Sequence, residues 1–179
     1  MELGPRDRTA LSDLAERLGA PLRMADPVGW GDARATHRLS LADGRQFAAR
    51  RFAGPASLPR AERTGRLMAR LAQVGLPVPS PTILDMPDGP WLVTGWVEGE
   101  TGARWLDDPD RARHLADRMG RLASRLRTID LGSLDLEDRA SAVPADGEMA
   151  KLGAFVHGDF APVNVVLDVE GEIAALVDF

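Results

Sequence analysis

His157-Gly-Asp159-Phe-Ala-Pro-Val-Asn164, followed by Asp178-Phe179 at the end of the given sequence, holds the most informative spacing of polar residues in the chain. Asp159 and Asn164 are oxygen donors on a loop that follows the short apolar run Ala154-Phe155-Val156. Val163–Asp168 and Glu172–Phe179 read as two short buried strands, with Val169-Glu-Gly171 turning between them. Such a hairpin returns Asp178 to the loop that carries Asp159 and Asn164. Two hard oxygen ligands beside a further carboxylate suit Mg²⁺, which takes carboxylates together with phosphate oxygens. The remaining carboxylate is then placed to act as a base toward a hydroxyl.

Outward from this stretch the chain alternates helices and short strands. Residues 8–19 carry Leu11, Leu14, Ala15 and Leu18 at helical spacing, with Gly19 suited to the C-terminal end. Ala35–Leu41 and Arg45–Phe52 flank Asp43-Gly44, a hairpin turn. Val28-Gly-Trp-Gly-Asp32 forms a glycine-bearing approach to the first of these strands. Pro55–Gln73 reads as a second helix, with Thr64, Leu67, Met68 and Leu71 on one face. Pro81–Met86 and Pro90–Val97 read as strands around Asp88-Gly89. Glu98–Gly102 is a linker by composition. A third helix is capped by Asp107 or Asp108 and has Pro109 near its first position. Its apolar stripe runs through Ala112, Leu115, Ala116, Met119, Leu122, Ala123 and Leu126. Residues 128–150 read as loop.

The resulting fold class is α+β in two lobes. Residues 1–98 form an antiparallel sheet with an inserted helix, and residues 99–179 form a mainly helical lobe. The 179 residues carry 44% apolar and 27% charged side chains, which excludes disorder, collagen and coiled coil. No apolar run reaches the ~20 residues of a membrane span, and the N-terminus lacks a signal-peptide core. Zero cysteines exclude disulfides and thiolate chemistry. A cytoplasmic protein fits, with no membrane partner. Of 22 basic residues 21 are Arg, and the single lysine, Lys151, reads as a surface residue. Residues 1–98 hold 13 Arg and 11 acids, whereas residues 99–179 hold 8 Arg, one Lys and 16 acids. The acidic second half repels nucleic acid and favours a cationic small molecule.

The pattern H-x-D-x-x-x-x-N followed by D-F resembles the kinase catalytic loop and its metal-binding Asp. With Gly158 after His157, the chain is similar to the aminoglycoside phosphotransferase and choline-kinase-like family, which has a protein-kinase-like fold. LADGRQFAARRF, AERTGRLMARLAQVGLPVPSP, WLVTGWVEGE and RLASRLRTIDL resemble further family segments in the right order.

The resemblance implies a small-molecule kinase that moves the ATP γ-phosphoryl group to a substrate hydroxyl with Mg²⁺. It makes Asp159 the catalytic carboxylate, and Asn164 and Asp178 the metal ligands. Arg50 stands at the position of the kinase lysine, in Phe47-Ala-Ala-Arg50, with Glu62 as its ion-pair partner; Arg51 is the alternative phosphate contact. Gly31 sits where a loop covers the phosphates, Gly95 and Val97 offer backbone groups to the base, and Thr94 is the gatekeeper. Trp96 sits at the hinge and His157 anchors the loop. ATP against GTP stays open.

The family's helices after D-F lie beyond Phe179. The expectation is therefore a truncated fragment, or a chain that oligomerises over the bare face of the third helix. Two other functions compete: a truncated or inactive kinase-like protein, and a metal-dependent hydrolase using His157, Asp159 and Asp178.

Overall fold

The computed structural model describes residues 4–28, 36–128 and 159–178. Gly31, Lys151, His157, the run Ala154–Val156 and most of the 128–150 loop lie outside the described residues. The chain divides into two compact units: Met1–Ala69 with Pro79–Trp96, and Arg70–Val78 with Val97–Phe179.

The first unit opens with helix α1, Pro5–Arg17, which starts earlier than the apolar spacing suggests. Gly19 then takes φ +95°, the left-handed conformation that ends a helix. Five strands follow: β1 (Leu22–Pro27), β2 (Thr36–Leu41), β3 (Gln46–Arg51), β4 (Pro81–Met86) and β5 (Gly89–Gly95). They pair antiparallel in the order β1-β2-β3-β5-β4. Helix α2, Ser57–Gln73, is inserted between β3 and β4.

Strand alternation sorts this sheet into two faces. Leu39, Ala49, Trp91 and Val93 gather against Leu11 and Leu14 of α1 in one buried cluster. Their strand neighbours Arg38, Ala48, Arg50, Leu92 and Thr94 occupy the opposite face, through the pairs Arg38↔Ala48, Ala48↔Thr94 and Arg50↔Leu92. Ile83, paired with Leu92, shares that face and packs on α2, where a Cβ on Gly65 would lie 3.2 Å from its side chain.

The second unit contains helix α3, Pro109–Thr128, and the small sheet β6 (Glu100–Thr101), β7 (Val165–Leu167) and β8 (Ile173–Leu176), in that order. Asp108 caps α3: its Oδ1 accepts from the N–H groups of Asp110 at 2.9 Å and Arg111 at 3.2 Å. Leu115, Leu122 and Leu126 of the expected stripe are buried, while Ala116 is exposed. The segment Glu98–Gly102 is more than a linker. It supplies β6, and a short 3₁₀ turn runs from Gly102 to Trp105. Gly99 has φ +153° and lies so close to β7 that a Cβ would sit 2.2 Å from the Leu167 carbonyl. Composition hid this strand because glycine is there for close approach and not for flexibility.

The β7–β8 hairpin is held at its turn. Asp168 Oδ1 accepts from the N–H groups of Glu170 and Glu172, and Glu172 accepts from Arg118 of α3 at 2.5 Å. Gly171 has φ +78°, and a Cβ there would meet the Trp105 ring at 2.3 Å. Gly171→Ala therefore combines left-handed strain with overpacking, and it destabilises the second unit by about 1–3 kcal/mol. Urea unfolding followed by tryptophan fluorescence checks this, and an unchanged midpoint would contradict it.

Candidate active site

The second unit brings the motif residues together through the hairpin. Pro162–Asn164 form one 3₁₀ turn immediately before β7, which begins two residues later than the apolar run suggests. Asn164 is 6% exposed. Its Nδ2 donates to the Asp159 carboxylate Oδ2 at 2.9 Å and to the Asp159 carbonyl at 3.0 Å. Its backbone carbonyl accepts from the Val177 N–H at 2.9 Å, which sets the residue before Asp178 beside Asn164. Asp178 adopts φ +62°, a left-handed conformation that Asp tolerates better than most residues and that bends the chain as it leaves β8. Asp159 and Asp178 are both exposed.

These donors fit Mg²⁺. With Nδ2 spent on Asp159, Asn164 has its Oδ1 to offer, and Asp178 adds a carboxylate. Mg²⁺ is commonly held by one or two protein oxygens, the rest of its shell being water and phosphate. Among the described residues no group of three or more His, Cys, Asp and Glu forms a metal cluster. A multi-carboxylate or histidine site therefore finds no support among them.

The first unit places the remaining candidates. Arg50 and Arg51 point to opposite faces of β3. Arg51 lies on the α1 face, 3.2 Å from Asp88 and 3.7 Å from Asp7, with its guanidinium 5.8 Å from the Trp91 ring centre. Arg50 lies on the other face with Ala48 and Thr94, its guanidinium 5.4 Å from the Phe52 ring centre. Glu62 is exposed on α2, at an open groove of about 380 Å³ shared with Gly65, Arg66 and Ile83.

Thr94 is buried on β5 opposite Ala48. β4 begins opposite Thr94, so the β5 edge beyond it has no strand neighbour on that side. The Trp96 N–H donates to Gln46 O on β3 at 3.0 Å. By alternation the backbone groups of Gly95 and Val97 turn to the unpaired edge.

One buried titratable group lies on the α1 face. His37 is 7% exposed, pairs across to Ala49 and has its ring centre 6.3 Å from that of Trp91. Its Nδ1 has no hydrogen-bond partner. Burial holds its pKa below 6.5; Asp7 opposes this and Arg51 adds to it. The unfolded chain thus binds a proton in a window, from near 6.5 downward, where the folded chain does not. Stability accordingly falls as pH falls through that window. The urea midpoint should be higher at pH 7.5 than at pH 5.5, and His37→Gln should flatten that slope. An equal slope in the variant would refute the assignment.

The family model for the phosphotransferase enzyme family matches residues 27–148, about two-thirds of the chain. The chain belongs to the phosphotransferase enzyme family. The match ends before Asp159, so the Asp159–Asn164 motif is an observation independent of it. Among solved structures, the apoenzyme of macrolide 2'-phosphotransferase from Brachybacterium faecium superposes with a TM-score of 0.66 at 22% identity. That alignment covers 97% of this chain and 72% of the relative. An aminoglycoside-3'-phosphotransferase of type VIII gives 0.56 at 26% identity, covering 93% and 76%. The streptomycin–ATP–APH(2")-IIa ternary complex gives 0.57 at 12% identity, covering 99% and 71%. No curated protein sequence matches this phosphotransferase. No described helix is long and apolar enough to cross a membrane.

Proposed function

We propose that this phosphotransferase transfers the γ-phosphoryl group of a nucleoside triphosphate, with ATP the donor named by the sequence reading, to a hydroxyl of a small molecule. The observation that carries the proposal is the bond from Asn164 Nδ2 to the Asp159 carboxylate, in a loop whose other end is tied to the residue before Asp178. An exposed carboxylate held by one side chain is a base with a fixed direction and an open side for a substrate.

Asp159 orients the acceptor hydroxyl and takes its proton as the new O–P bond forms and the bond to the leaving diphosphate breaks. Asn164 Nδ2 keeps one carboxylate oxygen occupied, so the other faces the hydroxyl. Asn164 Oδ1 and Asp178 would hold Mg²⁺, which supplies charge neutralisation on the phosphates when bound. Arg50, on the face opposite Arg51, is the phosphate-gripping cation; a guanidinium grips phosphate as a fork. Thr94, with the Gly95 and Val97 backbone, serves the base, and Gly31 serves the phosphates. Glu62 of α2 is the ion-pair partner of Arg50 on this reading.

The acidic balance of residues 99–179 favours a cationic acceptor, and the solved macrolide and aminoglycoside phosphotransferases make those two classes the ones to try first. The requirement for a nucleoside triphosphate places the reaction in the cytoplasm. The test is diphosphate release with Mg²⁺ and a panel of aminoglycosides, macrolides and amino alcohols. Release above the no-acceptor background for at least one acceptor supports the proposal. Nucleotide binding without release from any acceptor would favour a kinase-like binding protein.

A further inference from the structure

The face of the first sheet that carries Arg50 also holds a second guanidinium, which the transfer mechanism above does not use. Phe52 continues the β3 ladder by donating its N–H to Pro90 O at 2.9 Å, so its ring falls on the side of Arg50. Phe52 is 6% exposed. The Arg50 guanidinium lies 5.4 Å from the ring centre and the Arg60 guanidinium 5.6 Å. Arg60 belongs to the first turn of α2, and its Nη1 donates to the Ala53 carbonyl at 3.5 Å. One buried ring is therefore a platform shared by two cations from two different elements.

The stability of α2 does not explain this arrangement. A helix N-terminus carries positive partial charge, so acids suit its first turn and cations oppose it. The first turn of α2 holds no acidic residue and does hold Arg60. The chain also enters α2 through Ala56 at φ +56°, a left-handed conformation that strains a residue with a Cβ. A local preference overridden in this way marks a place where another demand wins. The ring attracts each cation, while the cations and the helix end repel one another. A polyanion satisfies all of them at once, since each guanidinium fork takes two phosphate oxygens.

We propose that Arg60 is a second phosphate-binding residue, which with Arg50 clamps the polyphosphate chain of the donor beside Phe52. The inference rests on the nucleotide reading above and adds a residue to it. Phe52 holds both forks in place before the ligand arrives, which lowers the ordering cost of binding. Because the clamp grips phosphate and not the base, inorganic tripolyphosphate is itself a ligand of the site and competes with ATP.

The test is calorimetric titration of the full chain with ATP and with inorganic tripolyphosphate, each with Mg²⁺, beside a melting temperature for every variant. In Arg60→Gln both ligands are expected to bind about tenfold more weakly, the effect of one charge-assisted contact. The melting temperature of that variant without ligand is expected to stay or rise, since a cation leaves the first turn of α2. Arg60→Lys keeps the charge and loses the fork, and is expected to fall between the two. Arg66→Gln removes the same charge from another part of α2 and is expected to keep both affinities within about threefold. Tripolyphosphate that does not bind the wild type, affinities unmoved by Arg60→Gln, an equal loss in Arg66→Gln, or a loss that comes with a fallen melting temperature would overturn the inference. ATP binding weakened by Arg50→Gln and not by Arg60→Gln overturns the clamp and leaves the donor reading standing; ATP binding weakened by neither overturns both.

Discussion

Asp159→Asn should lower kcat by about 10²–10⁴-fold while leaving nucleotide affinity within about threefold. The substitution is isosteric and keeps an oxygen for Asn164 Nδ2, which now donates to the carboxylate at 2.9 Å. The loop geometry therefore survives, and only the capacity to take a proton is lost. A variant that lost fold and activity together would say nothing specific about the base, so nucleotide affinity is measured beside kcat. Retention of more than about a tenth of the wild-type kcat would remove Asp159 from its role.

Trp91→Ala should cost the first unit about 3–5 kcal/mol. Trp91 is 2% exposed and fills the α1 face with Leu11, Leu14, Leu39, Ala49 and Val93. Its indole Nε1 also donates to Asp88 at 3.1 Å, and Asp88 pairs with Arg51. Truncation leaves a large cavity and frees that polar pair at once. Net stability of a domain is only about 5–15 kcal/mol, so the variant approaches unfolding at 37 °C. Trp91→Phe keeps most of the packing and loses the indole bond, at about 1 kcal/mol. Urea midpoints for the two variants decide the matter; a Trp91→Ala loss no larger than that of Trp91→Phe would show that packing on α1 is not what holds this sheet.

The elements most legible in the sequence are those with a strong period or a decisive turn. Pro81–Met86 matches its strand residue for residue, since Asp88-Gly89 closes the hairpin and the flanks are apolar. The end of α2 and the body of α3 follow from their stripes. β1 was not legible as a separate strand: Leu22–Pro27 is mostly exposed, ends in proline and pairs only with β2. Edge strands with one partner carry little alternation to read. Asp107 and Asp108 were equal candidates for the cap of α3, and the backbone geometry chooses Asp108.

The site shows the same division. Spacing alone grouped Asp159, Asn164 and Asp178, because a tight hairpin leaves few other ways back. Arg50 and Arg51 could not be separated by identity; the sheet faces separate them. The face that Arg38 occupies was legible in the same way. A hairpin centred on Asp43-Gly44 fixes the pairs Ser40↔Gln46 and Arg38↔Ala48, which put Arg38 on the face of Arg50. The pairing of Glu62 with Arg50 comes from the family resemblance alone, since side-chain pairing between α2 and β3 has no signature in one sequence.

Asn164 and Asp178 are proposed to hold Mg²⁺ against a nucleotide's phosphates. Thermal unfolding with nucleotide, with and without Mg²⁺, tests it most directly in wild type and Asp178→Ala. Mg²⁺-dependent stabilisation by nucleotide is expected in the wild type, since a ligand bound only by the folded state raises the melting temperature, and its loss is expected in the variant. Nucleotide stabilisation that is indifferent to Mg²⁺, or that persists undiminished in Asp178→Ala, would contradict it.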